Sequence, residues 1–92
     1  MTDAGWTFLS NHGHVLIYLA REPEARIRDI AKSVGITERR IQGIITDLEA
    51  AGYIEIERIG RRNTYTVKKN LRFRHQSESH RSIGSLIKIF SK

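Results

Sequence analysis

Apolar residues recur at helical spacing in three stretches, switch to strict alternation, and return once more to helical spacing near the end. In "HGHVLIYLARE", Leu16, Leu19 and Ala20 line one side of a helix that Ser10 or Asn11 can cap. Pro23 disfavours helical geometry at Glu22 and ends the element there. "ARIRDIAKSVG" predicts a brief extended segment at Ile27 and a short helix from Arg28 that buries Ile30, Ala31 and Val34. Gly35 is placed as its left-handed stop. A third helix begins at the N-cap residue Thr37, and its Ile41, Ile44, Ile45 and Leu48 give the i, i+3, i+4, i+7 pattern of a buried stripe. Ala51 and Gly52 close it. "YIEIER" and "TYTVK" alternate as strands do, and between them "IGRRN" offers Gly60 and Asn63, which tolerate the positive φ of a hairpin loop. After a basic connector, Ile83, Leu86, Ile87 and Phe90 predict a short amphipathic helix, which Gly84 weakens.

The order is helix, short strand, helix, turn, helix, strand, loop, strand and tail helix. Two helices joined by a three-residue turn containing glycine make a helix-turn-helix. Ala31 is small where its helix must cross the next one closely. Ile30, Val34, Ile36, Ile41 and Ile44 form the apolar set that locks the pair.

Charge changes the picture next. Sixteen Lys and Arg against ten Asp and Glu give a formal net charge of +6, which favours a polyanionic partner, either nucleic acid or an acidic membrane surface. The stretch from Arg58 to Arg74 holds Arg58, Arg61, Arg62, Lys68, Lys69, Arg72 and Arg74 and no acid. Arg39 and Arg40 sit in the first turn of the third helix. There the unpaired N–H groups and the helix dipole disfavour cations by a few tenths of a kcal/mol. DNA phosphates facing that end would supply the negative charge it prefers.

Residues 11–68 resemble the winged helix-turn-helix domain of small prokaryotic transcriptional regulators of the multiple-antibiotic-resistance (MarR) and arsenical-resistance (ArsR) type. The resemblance is carried by "RIRDIAKSVGITERRIQGIITDLEAAGYIEIE" and "GRRNTYTV", most closely by "DIA", "GIT", the "DLEAAGYI" junction and the Gly-Arg wing before Tyr-Thr-Val. It implies an α+β, mainly helical winged-helix fold: a three-helix core, a small antiparallel β-hairpin wing and a short C-terminal helix. It also implies that residues 37–51 are the recognition helix and residues 58–64 the wing. The domain is expected over residues 1–70, with residues 71–92 forming the basic connector and tail helix.

The residues point the same way by themselves. At about 100° per residue, Arg39, Gln42, Gly43 and Thr46 fall opposite the isoleucine stripe. Arg and Gln can form bidentate hydrogen bonds to guanine and adenine edges, and Thr suits a thymine methyl or a phosphate. Arg40 lies on the flank, where it and Thr37 would grip the backbone. Mid-helix Gly43 costs roughly 1 kcal/mol against Ala, which a close approach to DNA would explain, as would an indifferent surface position. Arg58, Arg61, Arg62, Asn63 and Thr64 supply phosphate or minor-groove contacts from the wing. Asp47 and Glu49 are held back to the C-terminal half of the helix.

Other chemistry is set aside. There are no cysteines, which excludes disulfides and thiolate zinc sites. His12, His14, His75 and His80 have no spacing or carboxylate cluster that completes a metal site, so no metal and no cofactor are expected. No catalytic motif is present. The start lacks a signal-peptide pattern and no apolar run reaches 18 residues, so a cytoplasmic protein without a membrane segment is expected. The apolar ends, Trp6, Phe8 and Leu9 with Ile83, Leu86, Ile87 and Phe90, either cap their own core or form a homodimer interface, and the dimer is favoured because such regulators read paired half-sites. The expected function is sequence-specific recognition of double-stranded DNA in transcriptional regulation, with no effector named. The alternative is a winged-helix module for protein–protein docking.

Overall fold

Ser10 opens the first helix by accepting a hydrogen bond from the Gly13 N–H at 3.3 Å, leaving Val15, Leu16 and Leu19 on its buried side. Val15 is fully buried, a position the spacing of Leu16, Leu19 and Ala20 did not single out, and Ala20 is only half-buried. A computed structural model describes residues 5–91; residues 1–4 and 92, which fall inside the two expected segments, lie outside the described residues. The elements are α1 (Asn11–Arg21), α2 (Ile27–Val34), α3 (Glu38–Ala50), β1 (Ile54–Ile59), β2 (Arg62–Val67) and α4 (Ile83–Phe90).

Ile27 corrects the expected short strand: it is the first residue of α2. The backbone around it still meets the wing, because the Tyr65 N–H donates to the Pro23 carbonyl at 2.8 Å. One hydrogen bond joins the turn to the hairpin where a third strand was expected. Gly35 ends α2 at φ 87°, where any other residue would be strained, and the Ile36 N–H turns back to the Ala31 carbonyl at 3.2 Å. Thr37 then caps α3, its hydroxyl accepting from the Arg40 N–H at 3.1 Å.

β1 and β2 pair antiparallel, from Ile54 opposite Val67 to Ile59 opposite Arg62. The loop is shorter than expected. Only Gly60 and Arg61 lie between the strands, and Asn63 is inside β2 without the positive φ assigned to it. Gly60 alone takes positive φ, at 63°, the pattern of a two-residue turn with glycine first.

One buried cluster joins every helix and the hairpin: Val15, Leu16, Leu19, Ile30, Ala31, Ile41, Ile44, Ile45, Leu48, Ile54, Tyr65, Ile83 and Ile87. Ile83 and Ile87 place α4 in the same core as α1, so these two residues of the expected dimer set are consumed within the chain. The connector is tied down as well. The Ile83 N–H donates to Leu71, the Phe73 N–H to Arg81, and the Tyr53 hydroxyl to the Arg72 carbonyl.

Leu19 is fully buried on the helix that touches α2, α3, β2 and α4. Leu19→Ala is therefore expected to cost about 2–5 kcal/mol in denaturant unfolding. A loss well under 1 kcal/mol would mean that α1 is not the common floor of the core.

Candidate nucleic-acid interface

The α2–turn–α3 unit decides which side chains reach solvent. Ile41 is fully buried, and Ile44, Ile45 and Leu48 nearly so, all on one side of α3. A helix with one face committed in this way must present the opposite face outward. Arg39, Arg40, Gln42, Gly43 and Thr46 are all exposed, as is the cap residue Thr37. The face holds two cations, an amide and a hydroxyl around a glycine. A Cβ added at Gly43 would meet nothing within 4 Å, so no internal packing requires glycine there. Glu38 supplies one acid to the first turn and partly offsets the two arginines beside it.

The wing's residues are divided by the pleat. Ile54, Ile56 and Arg58 with Asn63, Tyr65 and Val67 share the face that carries the buried residues Ile54 and Tyr65. Glu55, Glu57 and Ile59 with Arg62, Thr64 and Thr66 share the other. Asn63 is half-buried and its side-chain amide donates to the Tyr65 hydroxyl at 3.4 Å; Thr64 is half-buried too. Of the five wing residues expected to meet DNA, Arg58, Arg61 and Arg62 are exposed, and Arg61 alone occupies the turn.

The run of seven cations that looked like one basic wing is distributed over the molecule. Arg62 stands 4.0 Å from Glu24 of the α1–α2 turn, and Lys68 pairs with Glu55 at 3.1 Å. A guanidinium nitrogen of Arg72 donates to the Ser79 carbonyl at 3.3 Å, tying the connector, and Arg74 lines a cleft beside the C-terminal half of α3. Freedom from acids along the sequence is not freedom from acids in space. These exposed pairs are worth roughly 0–1 kcal/mol each, yet they compete with a phosphate for the same cations.

α2 carries cations that its apolar spacing does not signal. Arg26, Arg28 and Lys32 are exposed on and beside α2, and Arg28 and Lys32 share a face at i, i+4. The apolar spacing of α2 fixes its buried side and leaves Arg28 and Lys32 outward without marking them as a basic face. The Nε2 of His12 meets a carboxylate oxygen of Asp47 at 2.8 Å, linking α1 to α3. Nothing in the sequence signals that contact, because 35 residues separate the partners.

A helix-turn-helix followed by a hairpin is the arrangement that the comparisons return. The family model described as MarR family matches residues 7–61. No curated protein sequence matches the chain. Among solved structures, MepR, a transcription regulator of the Staphylococcus aureus multidrug efflux pump MepA, is 24% identical with a TM-score of 0.56, over 64% of this chain and 46% of that one. The PcaV transcriptional regulator from Streptomyces coelicolor is 25% identical with a TM-score of 0.57, over 74% of this chain and 49% of that one. A MarR family protein of Mycobacterium tuberculosis, solved with salicylic acid, is 19% identical with a TM-score of 0.57, over 88% of this chain and 59% of that one. The chain thus spans about half the length of the first two structures. With its matched residues running from the start of α1 through the turn of the wing, the chain belongs to the MarR family.

Proposed function

We propose that this protein is a cytoplasmic transcriptional regulator that binds double-stranded DNA in a sequence-specific manner, as a homodimer held through its apolar ends. The observation that carries the reading is the outward face of α3, where Arg39, Arg40, Gln42, Gly43 and Thr46 stand exposed opposite a buried isoleucine stripe. Such a helix fits the major groove, which is wide enough to admit it. Arg39, Gln42 and Thr46 read base edges. Thr37 and Arg40 hold phosphates at the end of the helix where the backbone N–H groups point outward. The wing adds Arg58, Arg61 and Arg62, with Asn63 and Thr64 in support, and α2 adds Arg28 and Lys32 to the cationic surface. The family assignment supports the same activity, and among the described residues no helix is long and apolar enough to cross a membrane. A docking module would need no such face.

Gel shifts on random and selected duplexes with a salt titration test the reading as a whole; no binding even at low salt would end it. Arg39→Ala is expected to cost about 1–3 kcal/mol and to relax preference at one base pair. An equal loss on every sequence would reduce Arg39 to a phosphate contact.

Gly43→Ala separates stability from function. The open space around the glycine predicts a gain of roughly 1 kcal/mol in unfolding free energy. Affinity for DNA should fall, because the added methyl blocks close approach. Unchanged affinity would make Gly43 an indifferent surface position.

The wing arginines should differ. Arg61→Ala is expected to reduce the magnitude of the slope of log affinity against log salt by about one. Arg62→Ala should change it less, since Glu24 already stands beside Arg62, and Glu24→Gln should strengthen binding. Identical salt slopes for the two arginine variants would remove Glu24 from the account.

A further inference from the structure

Six of the seven glycines have a reason inside the chain. Four take positive φ, and Gly13 and Gly84 have neighbours 3.3 and 3.0 Å from where a Cβ would stand. Gly43 has neither reason. It lies in the interior of α3, its φ is not positive, and a Cβ there would meet nothing within 4 Å. Glycine loses more backbone entropy on folding than alanine does, so it weakens the helix here without any gain in packing.

The missing Cβ leaves a notch in the middle of the outward face of α3. On a helix the side chains nearest to a position are those three and four residues away. At about 100° per residue, Arg39 and Thr46 flank Gly43 on one side and Arg40 and Asp47 on the other. Thr46 and Asp47 lean back over it, because helical side chains tilt toward the N-terminus. Arg39, Arg40, Gln42 and Thr46 are all exposed around it. The Asp47 carboxylate would put a negative charge at the mouth of the notch. It is drawn off toward α1 instead, where its Oδ2 meets His12 Nε2 at 2.8 Å. What is left is a depression one methyl group deep, floored by the Gly43 Cα and walled on one side by the methyl of Thr46. In the major groove the base edges offer hydrogen-bond donors, acceptors and one apolar projection, the 5-methyl group of thymine.

We infer that the notch at Gly43 seats the 5-methyl group of a thymine, which makes Gly43 a specificity-determining residue that tells thymine from cytosine. This rests on the DNA-binding reading given above and names a base for the centre of its contact face. A methyl group placed where the Cβ would stand leaves water for the helix backbone and the Thr46 methyl. It does so while Arg39 and Gln42 reach the base edges beside it. Any side chain at position 43 fills that space and holds the base edge away. The seat recognises the projection rather than the base that bears it, so a 5-methylcytosine enters where cytosine gains nothing.

The probe is a duplex selected from a random pool, in which each thymine is replaced in turn by uracil, which lacks only the methyl group. At one thymine of each half-site the replacement should weaken binding by roughly fourfold, the equivalent of one methyl group returned to water. With Gly43→Ala that difference should vanish or reverse, because the alanine methyl occupies the seat. Binding of this variant to the thymine duplex falls, and binding to the uracil duplex falls less. Its unfolding midpoint should not drop, which separates the effect from misfolding. Replacing that thymine by cytosine and then by 5-methylcytosine should recover affinity at the second step for the unaltered protein and not for Gly43→Ala. Absence of any thymine whose methyl matters, or the same thymine-to-uracil ratio in Gly43→Ala as in the unaltered protein, overturns the seat and leaves DNA binding standing. A preference that survives Gly43→Ala and disappears with Thr46→Ala assigns the methyl to Thr46 and overturns it too. Failure to bind any duplex at low salt overturns both readings.

Discussion

The interlock of α2 with α3 is the contact on which the rest depends. Ile30 and Ile41 are fully buried in one core with Ala31, and Gly35 takes the left-handed conformation that ends α2 and turns the chain toward α3. The outward face of α3 exists only because this inward face is fully committed. A recognition surface built on a loop would have to be ordered when DNA binds; one built on a packed helix is ordered beforehand, and the entropy has already been lost in folding.

The same helix sets Arg39 and Arg40 against its own dipole. Two cations at the positive end of a helix are mildly unfavourable in the isolated chain, and Glu38 offsets them only in part. In the proposed complex a DNA phosphate would supply what is missing, being attracted by the arginines and by the N–H groups together. A small loss in folding would thereby be converted into a gain on binding. The two arginines differ in angle, Arg39 lying opposite Ile41 and Arg40 on the flank.

The apolar ends show how little surface a chain of this size has to spare. α4 uses Ile83 and Ile87 to complete the core over α1, and the remainder of its apolar arc, with Trp6 and Phe8, stays in water. Exposed aromatics of this extent on a small domain call for a partner surface.

Much of this was legible because it depends on local periodicity. The stripe Ile41–Ile44–Ile45–Leu48, the caps Ser10 and Thr37, the left-handed Gly35 and the position of α4 follow from spacing and from what each backbone can adopt, and these determine which face of α3 is wet. Ile27 and Asn63 were misplaced because a residue's preference for extended backbone or positive φ is weak beside its neighbours' hydrogen bonds. Only the tertiary structure decided the distribution of charge. Glu24 reaching Arg62, Glu55 reaching Lys68, Arg72 tied to the connector and His12 joined to Asp47 are contacts made by the path of the chain through space. A helix repeats every 3.6 residues and writes its buried face into the sequence, whereas an ion pair between distant segments leaves no period to read.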